Sequence, residues 1–149
     1  MAAMLAQGLG TAETAAKLHL ATGTVSAHQS TANHRLGGYH RFAFIHSCYV
    51  LSLLPRPVPA PPPDGGAEPH EVAILWRFAL DDNHPEAAAH CHLSVTAMQS
   101  RLQGLRKRWN AANESHLITL GWRYGVLNAS RGAADHQLAR PALSAGTRP

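Results

Sequence analysis

Amide and basic side chains are concentrated in one stretch of the chain, between residues 96 and 108. Gln and Arg can bond to base edges in a DNA major groove, and Arg and Lys can bond to phosphates. Apolar residues recur here at intervals of four, three and four from Met98 to Trp109, which predicts an amphipathic helix over 97–109. Its polar side is either an ordinary solvated face or a nucleic-acid contact. The candidate contact residues are Thr96, Gln99, Ser100, Arg101, Gln103, Arg106, Lys107 and Arg108.

Histidine and cysteine are the other residue types here that could hold a metal or act in catalysis. His90, Cys91 and His92 are consecutive, and neighbours on a helix point about 100° apart, so these three cannot all ligate one zinc ion. Catalysis by Cys or Ser needs a base and a group that orients it, and the sequence contains no such pattern. We therefore expect no metal site, no cofactor and no enzymatic activity.

The composition limits the class of protein. Of the 149 residues, 45% are hydrophobic and 15% are charged, which is enough for a core and too little charge for an extended disordered chain. The net charge of +4 is carried mostly by arginine, which suits phosphate and guanine contacts, although a GC-rich genome also favours arginine over lysine.

Two cysteines are too few for a disulfide scaffold. The first nine residues show no secretory signal, and the most apolar run, 42–54, is shorter than the ~20 residues that span a bilayer. We expect a cytoplasmic protein without membrane contact.

A proline-rich segment divides the chain. Residues 55–70 contain seven of the ten prolines, and this composition favours the polyproline II conformation. At ~3.1 Å per residue the segment reaches roughly 50 Å when extended, which predicts a semi-rigid spacer between two folded units. The units are residues 1–54 and 71–127, and weak periodicity beyond them predicts a disordered tail over 128–149.

The two units share a pattern when the chain is compared with itself at an offset of 73 residues, which lays 11–54 over 84–127 without a gap. Shared positions fall at helical spacing, so the sequence predicts two copies of one fold. The identical pairs are Glu13/Glu86, Ala15/Ala88, Ala16/Ala89, His19/His92, Leu20/Leu93, Arg35/Arg108, Ile45/Ile118 and Leu54/Leu127.

Each copy follows the order helix, short helix, tight turn and longer helix. In the second copy, helices are predicted over 71–80, 86–92, 97–109 and 114–124, with Pro85 in a first turn, Thr96 as a cap and Gly125 as a terminator. This order is the helix-turn-helix plan, in which the longer helix lies in the DNA major groove. The expected fold is therefore all-α, with two small helix-turn-helix domains joined by a linker.

Several residues of the first copy stand at defined positions of this plan. They are Gly8-Leu9 at the end of helix one, Leu18-His19-Leu20 before the turn, Thr24-Val25 and His28 at the start of the recognition helix, and Leu36-Gly37 at its end. On these residues, 5–37 resembles the DNA-binding domain of bacterial LuxR-type transcriptional regulators. The resemblance implies DNA contacts from Thr24, Ser26, Ala27, His28, Ser30, His34 and Arg35. It also implies a fourth helix over 42–54 as a pairing face, and hence a homodimer through the fourth helices.

The first copy departs from the family pattern in its recognition helix. Ser26 and Ala27 stand where basic or amide side chains are usual, and Gln29 stands where an aliphatic residue is usual. Because this helix has few long donors, we expect the second copy to supply more of the affinity. Helix one of the first copy is also short, so either its core is completed by another partner or the unit begins upstream.

The function predicted from the sequence is a DNA-binding transcriptional regulator, cytoplasmic and associated with the nucleoid. Tandem units would occupy half-sites about 34 Å apart on double-stranded DNA, a span that the linker can bridge. Base-edge contacts are expected from Gln99, Arg101 and Gln103, and phosphate contacts from residues 106–108. The alternative is a protein-interaction adaptor that binds another regulator or RNA polymerase, which the low net charge and the weak first recognition helix favour.

Overall fold

The computed structural model describes residues 1–38 and 40–130. Within these residues the chain forms eight α-helices, one 3₁₀ turn at Pro63–Gly65 and no β-strand, so the expected all-α class is confirmed. Most of the predicted tail, from residue 131 onward, lies outside the described residues. The helices are α1 (Ala2–Ala6), α2 (Thr11–Leu18), α3 (Thr22–Arg35), α4 (Arg41–Val50), α5 (Pro69–Ala79), α6 (His84–His90), α7 (Val95–Trp109) and α8 (Glu114–Arg123).

Short polar side chains fix the starts of α6, α7 and α8. Asn83 accepts a hydrogen bond from the Glu86 amide at 2.8 Å, and the Glu86 carboxylate accepts one from the Asn83 amide at 3.0 Å, which forms a capping box. Ser94 caps α7 by accepting from the Ala97 amide at 3.1 Å. The prediction that Thr96 is this cap is wrong, because Ser94 lies two residues earlier and α7 begins at Val95. None of the described helices is long and apolar enough to cross a membrane.

The backbone path of residues 11–52 recurs at the 73-residue offset. Moved by this offset, α2, α3 and α4 fall on 84–91, 95–108 and 114–123, which are the positions of α6, α7 and α8 to within one residue. Left-handed backbone angles recur as well, although residues other than glycine seldom adopt them. The positive-φ pairs are Gly8/Asp81, His19/His92, Gly37/Asn110 and Ser52/Gly125.

The two halves of the molecule share one core. Helix α4 packs on α8 and α5, and α1 packs on α8 and α4, so these four helices form the centre. The pair α2–α3 packs on this centre through α3 on α4 and α2 on α1, and the pair α6–α7 packs on α5 and α8. Buried apolar residues from α1, α4, α5, α6, α7 and α8 belong to a single cluster. The short first helix thus buries Leu5 and Ala6 largely against α4 and α8.

The proline-rich segment lies against this centre and does not hold two units apart. Arg56 donates from Nε to the Tyr49 carbonyl at the end of α4 (3.1 Å), and its guanidinium lies 5.2 Å from the Trp122 ring centroid. The Ala60 amide donates to the Arg123 carbonyl at 3.0 Å. The expectation of an extended spacer is wrong, because helices of both units are in direct contact and the segment is bound to the ends of α4 and α8.

Candidate nucleic-acid interface

Helix α7 presents a continuous polar stripe to solvent. Met98, Leu102, Leu105 and Trp109 are buried on its inner side. The outer positions recur at the three- and four-residue spacing that places side chains on one face of a helix. Arg101 lies beside this stripe and is partly exposed. The stripe, called the α7 outer face below, consists of the exposed residues Thr96, Gln99, Ser100, Gln103 and Lys107.

Two of the three residues in the basic cluster bind to the protein itself. Arg108 lies with Nη2 2.5 Å from the Glu71 carboxylate, which is buried at the start of α5. Arg106 donates to the Ala112 carbonyl at 2.9 Å and lies 3.8 Å from the Glu114 carboxylate. These contacts hold α7 against α5 and the turn before α8. Lys107 is therefore the exposed cation of the cluster, and the expected phosphate role of Arg106 and Arg108 competes with their internal contacts.

The surface beside α7 is concave. An open pocket of about 210 Å³ lies between α7 and the starts of α6 and α8. Gln99 and Gln103 contribute amides to it, whereas Glu114 contributes a carboxylate that would repel a phosphate. The pocket is lined by His84, Gln99, Leu102, Gln103, Arg106 and Glu114.

Helix α3 presents a less charged surface. Of its predicted contact residues, Thr24 is partly buried, and the others, Ser26, Ala27, His28, Ser30, His34 and Arg35, are exposed. Arg35 is the one Lys or Arg in this helix. The inner side carries polar residues, because Gln29 and Asn33 are buried beside Val25. Asn33 donates from Nδ2 to the His40 carbonyl at 2.8 Å, which ties α3 to the start of α4.

The fourth helices of the two halves meet in the centre of the molecule. Trp122 donates from Nε1 to His46 Nδ1 at 3.0 Å, and the Tyr49 hydroxyl lies 3.0 Å from Thr119 Oγ1. Every α4 residue from 43 to 49 is buried. The expectation that α4 is free to form a homodimer with another chain is wrong, because α8, α5 and α1 cover that face within the same chain. The predicted α4 also ends early, at Val50.

An ion-pair cluster that the sequence did not predict joins α5 to α6. Asp82 is buried, accepts from Arg77 Nε at 2.7 Å and lies 2.9 Å from His90 Nδ1. It occupies the position that Leu9 has in the first unit at the 73-residue offset. A charged side chain thus stands where the first unit has an apolar one, and the signal for the ion pair in the sequence is an arginine five residues before Asp82.

The cysteines lie in environments that disfavour the thiolate. Burial raises the pKa of Cys48 to about 11 and raises that of Cys91 above its ordinary value. Both side chains are therefore protonated thiols at neutral pH, and thiols are weak nucleophiles and poor metal ligands. Within residues 1–38 and 40–130, no three His, Cys, Asp or Glu side chains are grouped as a metal site.

Residues 1–48 match a protein-family model described as bacterial regulatory proteins, luxR family. The matched part contains α1, α2, α3 and most of α4, and it amounts to 48 of the 149 residues. The match points to a DNA-binding helix-turn-helix of transcription regulation in this part of the chain, and it ends before residues 71–127. Comparison with curated proteins and with solved structures found no match.

Proposed function

We propose that this chain is a transcriptional regulator that binds double-stranded DNA with two helix-turn-helix units, residues 1–54 and 71–127. The family match of residues 1–48 supports this for the first unit. The equal helix order and the four shared left-handed positions support the same plan for the second unit. In this plan α3 and α7 are the recognition helices.

The α7 outer face is the observation that carries the proposal. A helix that binds in the major groove needs donors and acceptors along one exposed side, while its other side packs on the domain. Gln99, Arg101 and Gln103 are the base-edge candidates, and Lys107 is the phosphate candidate. The main role of Arg106 and Arg108 is to hold α7 in place through their internal contacts, and binding to DNA phosphate is a secondary role.

Titration of labelled genomic DNA fragments with the full chain, at two salt concentrations, tests the proposal. Arg101→Ala is expected to weaken binding roughly tenfold, since a good base contact contributes about 1–3 kcal/mol. The matched control is Arg123→Ala, which removes an exposed arginine from the far end of α8. Equal affinities of the wild type and the Arg101→Ala variant would contradict the role of Arg101 as a base contact. If Gln103→Ala, on the α7 outer face, also leaves the affinity unchanged, α7 is not the recognition helix.

A second candidate function is a protein-interaction adaptor for another regulator or RNA polymerase. It is favoured by the exposed apolar side chains after α4, where Leu51, Leu53 and Val58 have exposed fractions of 53%, 60% and 80%. Exposed apolar residues grouped on one surface are typical of protein contacts. Retention of a purified polymerase subunit that is lost on Leu53→Ser, together with no DNA binding, would favour the adaptor.

A further inference from the structure

The contacts between the two halves are reciprocal. His46 on α4 contacts Trp122 on α8. At the 73-residue offset, His46 corresponds to Thr119 and Trp122 corresponds to Tyr49. These two counterparts, Tyr49 and Thr119, are also in contact. Tyr49 and Trp122, which are equivalent at this offset, face each other with ring centroids 5.4 Å apart. Equivalent residues meet in this way where a two-fold axis passes through an interface.

A second exchange, far from these rings, follows the same rule. Asn113 donates from Nδ2 to the Gly8 carbonyl at 2.9 Å. At the 73-residue offset, Gly8 corresponds to Asp81 and Asn113 to His40, and the His40 amide donates to the Asp81 carboxylate at 2.8 Å. Two independent pairs of swapped contacts thus describe an isologous interface, the kind that joins two subunits of a symmetric dimer, inside one chain.

The surfaces that this pseudo-two-fold axis relates are chemically different. Most exposed positions of α3 have a counterpart on α7 with a longer donor or a greater charge, although the backbones are equivalent. The exceptions are Thr22, Thr31 and Arg35, which correspond to Val95, Gly104 and Arg108. A symmetric dimer of identical units presents two equal recognition helices, whereas this molecule presents unequal ones. The counterparts are Ser26/Gln99, Ala27/Ser100, His28/Arg101, Ser30/Gln103 and His34/Lys107.

We infer that a single chain occupies both halves of one DNA site and that this site lacks two-fold sequence symmetry. This inference rests on the proposed function. The α7 half selects sequence through long donors, and the α3 half contacts the opposite half-site with little base preference. A second chain is not needed, because the face through which units pair is filled by α8 in the same chain, and covalent connection makes this pairing independent of concentration.

Selection of bound duplexes from a random-sequence DNA library tests the inference, with the full chain as the probe. We expect an asymmetric consensus concentrated in one half-site, and one chain per duplex by native mass spectrometry. A palindromic consensus, or two chains per duplex, would overturn the inference while leaving the proposed function intact. Failure to retain any duplex at low salt would overturn both.

A graft of α7 side chains onto α3 provides the matched variant. Ser26→Gln, His28→Arg and Ser30→Gln all replace exposed residues, so the fold is expected to be retained. The triple variant is expected to select an inverted repeat of the α7 half-site and to bind that repeat at least about tenfold more tightly than the wild-type chain does. If the variant selects the wild-type asymmetric consensus with unchanged affinity, the α3 half does not contact DNA and the inference is wrong.

Discussion

The two halves of the molecule have the same order of helices but different interiors. Along α7 the inner stripe is apolar throughout, whereas along α3 the position equivalent to Leu102 is the buried amide Gln29. Asn33, whose counterpart Arg106 is only partly buried, is a second buried amide of α3. Thr14 on α2 is also buried, and its hydroxyl has no hydrogen-bond partner. The first half therefore gains less from apolar burial, and it depends more on the central helices that it shares with the second half.

The largest effect is expected from Trp122→Ala, which tests that dependence. Trp122 is in contact with both His46 and Tyr49, so its loss should lower the free energy of unfolding by about 3–5 kcal/mol. Because α3 is attached through α4, backbone amides of α3 should lose hydrogen-exchange protection together with those of α8. Trp122→Phe retains the ring contact but leaves His46 Nδ1 without its donor, and should cost about 1–3 kcal/mol. Unchanged protection of α3 in Trp122→Ala would show that the halves are independent.

A reciprocal exchange of inner residues gives the next largest effect. Leu102→Gln should destabilise the protein by about 2–4 kcal/mol, because it removes apolar contacts and buries an amide. Gln29→Leu should have the opposite sign and stabilise by about 1 kcal/mol. Urea unfolding of the two variants measures both changes. Destabilisation by Gln29→Leu would mean that the α3 amide makes favourable contacts, and the two interiors would then be equally well packed.

The outer faces differ in charge, and salt dependence measures this difference. Lys107→Ala should lower the slope of log affinity against log salt by about 0.9, the value for one lost phosphate contact. The matched variant is His34→Ala at the equivalent position of α3. This variant removes no lysine or arginine from the surface, so it should leave the slope unchanged at about pH 8. Equal slopes for the two variants would remove the distinction between a strong and a weak half.

The sequence predicted the helices well and their contacts poorly. Apolar periodicity, Pro85 and Gly125 are local signals, and they gave the order of α5 to α8 with bounds within about two residues at most ends. The partner of Arg108 lies 37 residues away at Glu71, and the partner of Trp122 lies 76 residues away at His46. No local sequence pattern encodes contacts between residues that lie so far apart along the chain. Arg108, which the sequence suggests as a DNA contact, therefore binds within the fold instead. The same limit applies to the linker, whose proline content indicates stiffness but not the surface on which it lies.

The smallest expected effect is on the pH dependence of stability. It distinguishes the two halves by the residue near the start of the fourth helix. His116 on α8 accepts from the Ala112 amide through Nδ1 at 3.0 Å, and the equivalent residue on α4 is Ala43, which cannot titrate. Burial lowers the pKa of His116 below its ordinary value of 6.5, so the folded state disfavours the protonated form. This contribution to stability is present above the unfolded pKa and is lost as pH falls through 6.5 toward the folded pKa.

His116→Asn tests this assignment, because its side-chain oxygen can retain the bond from Ala112 but does not titrate. The urea midpoint of the wild-type chain should fall more between about pH 7.5 and pH 5.5 than that of the variant. The ten other histidines are present in both proteins, so the difference between the two pH profiles isolates His116. Identical profiles would mean that His116 is equally easy to protonate in both states. The turn between α7 and α8 would then be no more sensitive to acid than the equivalent turn between α3 and α4.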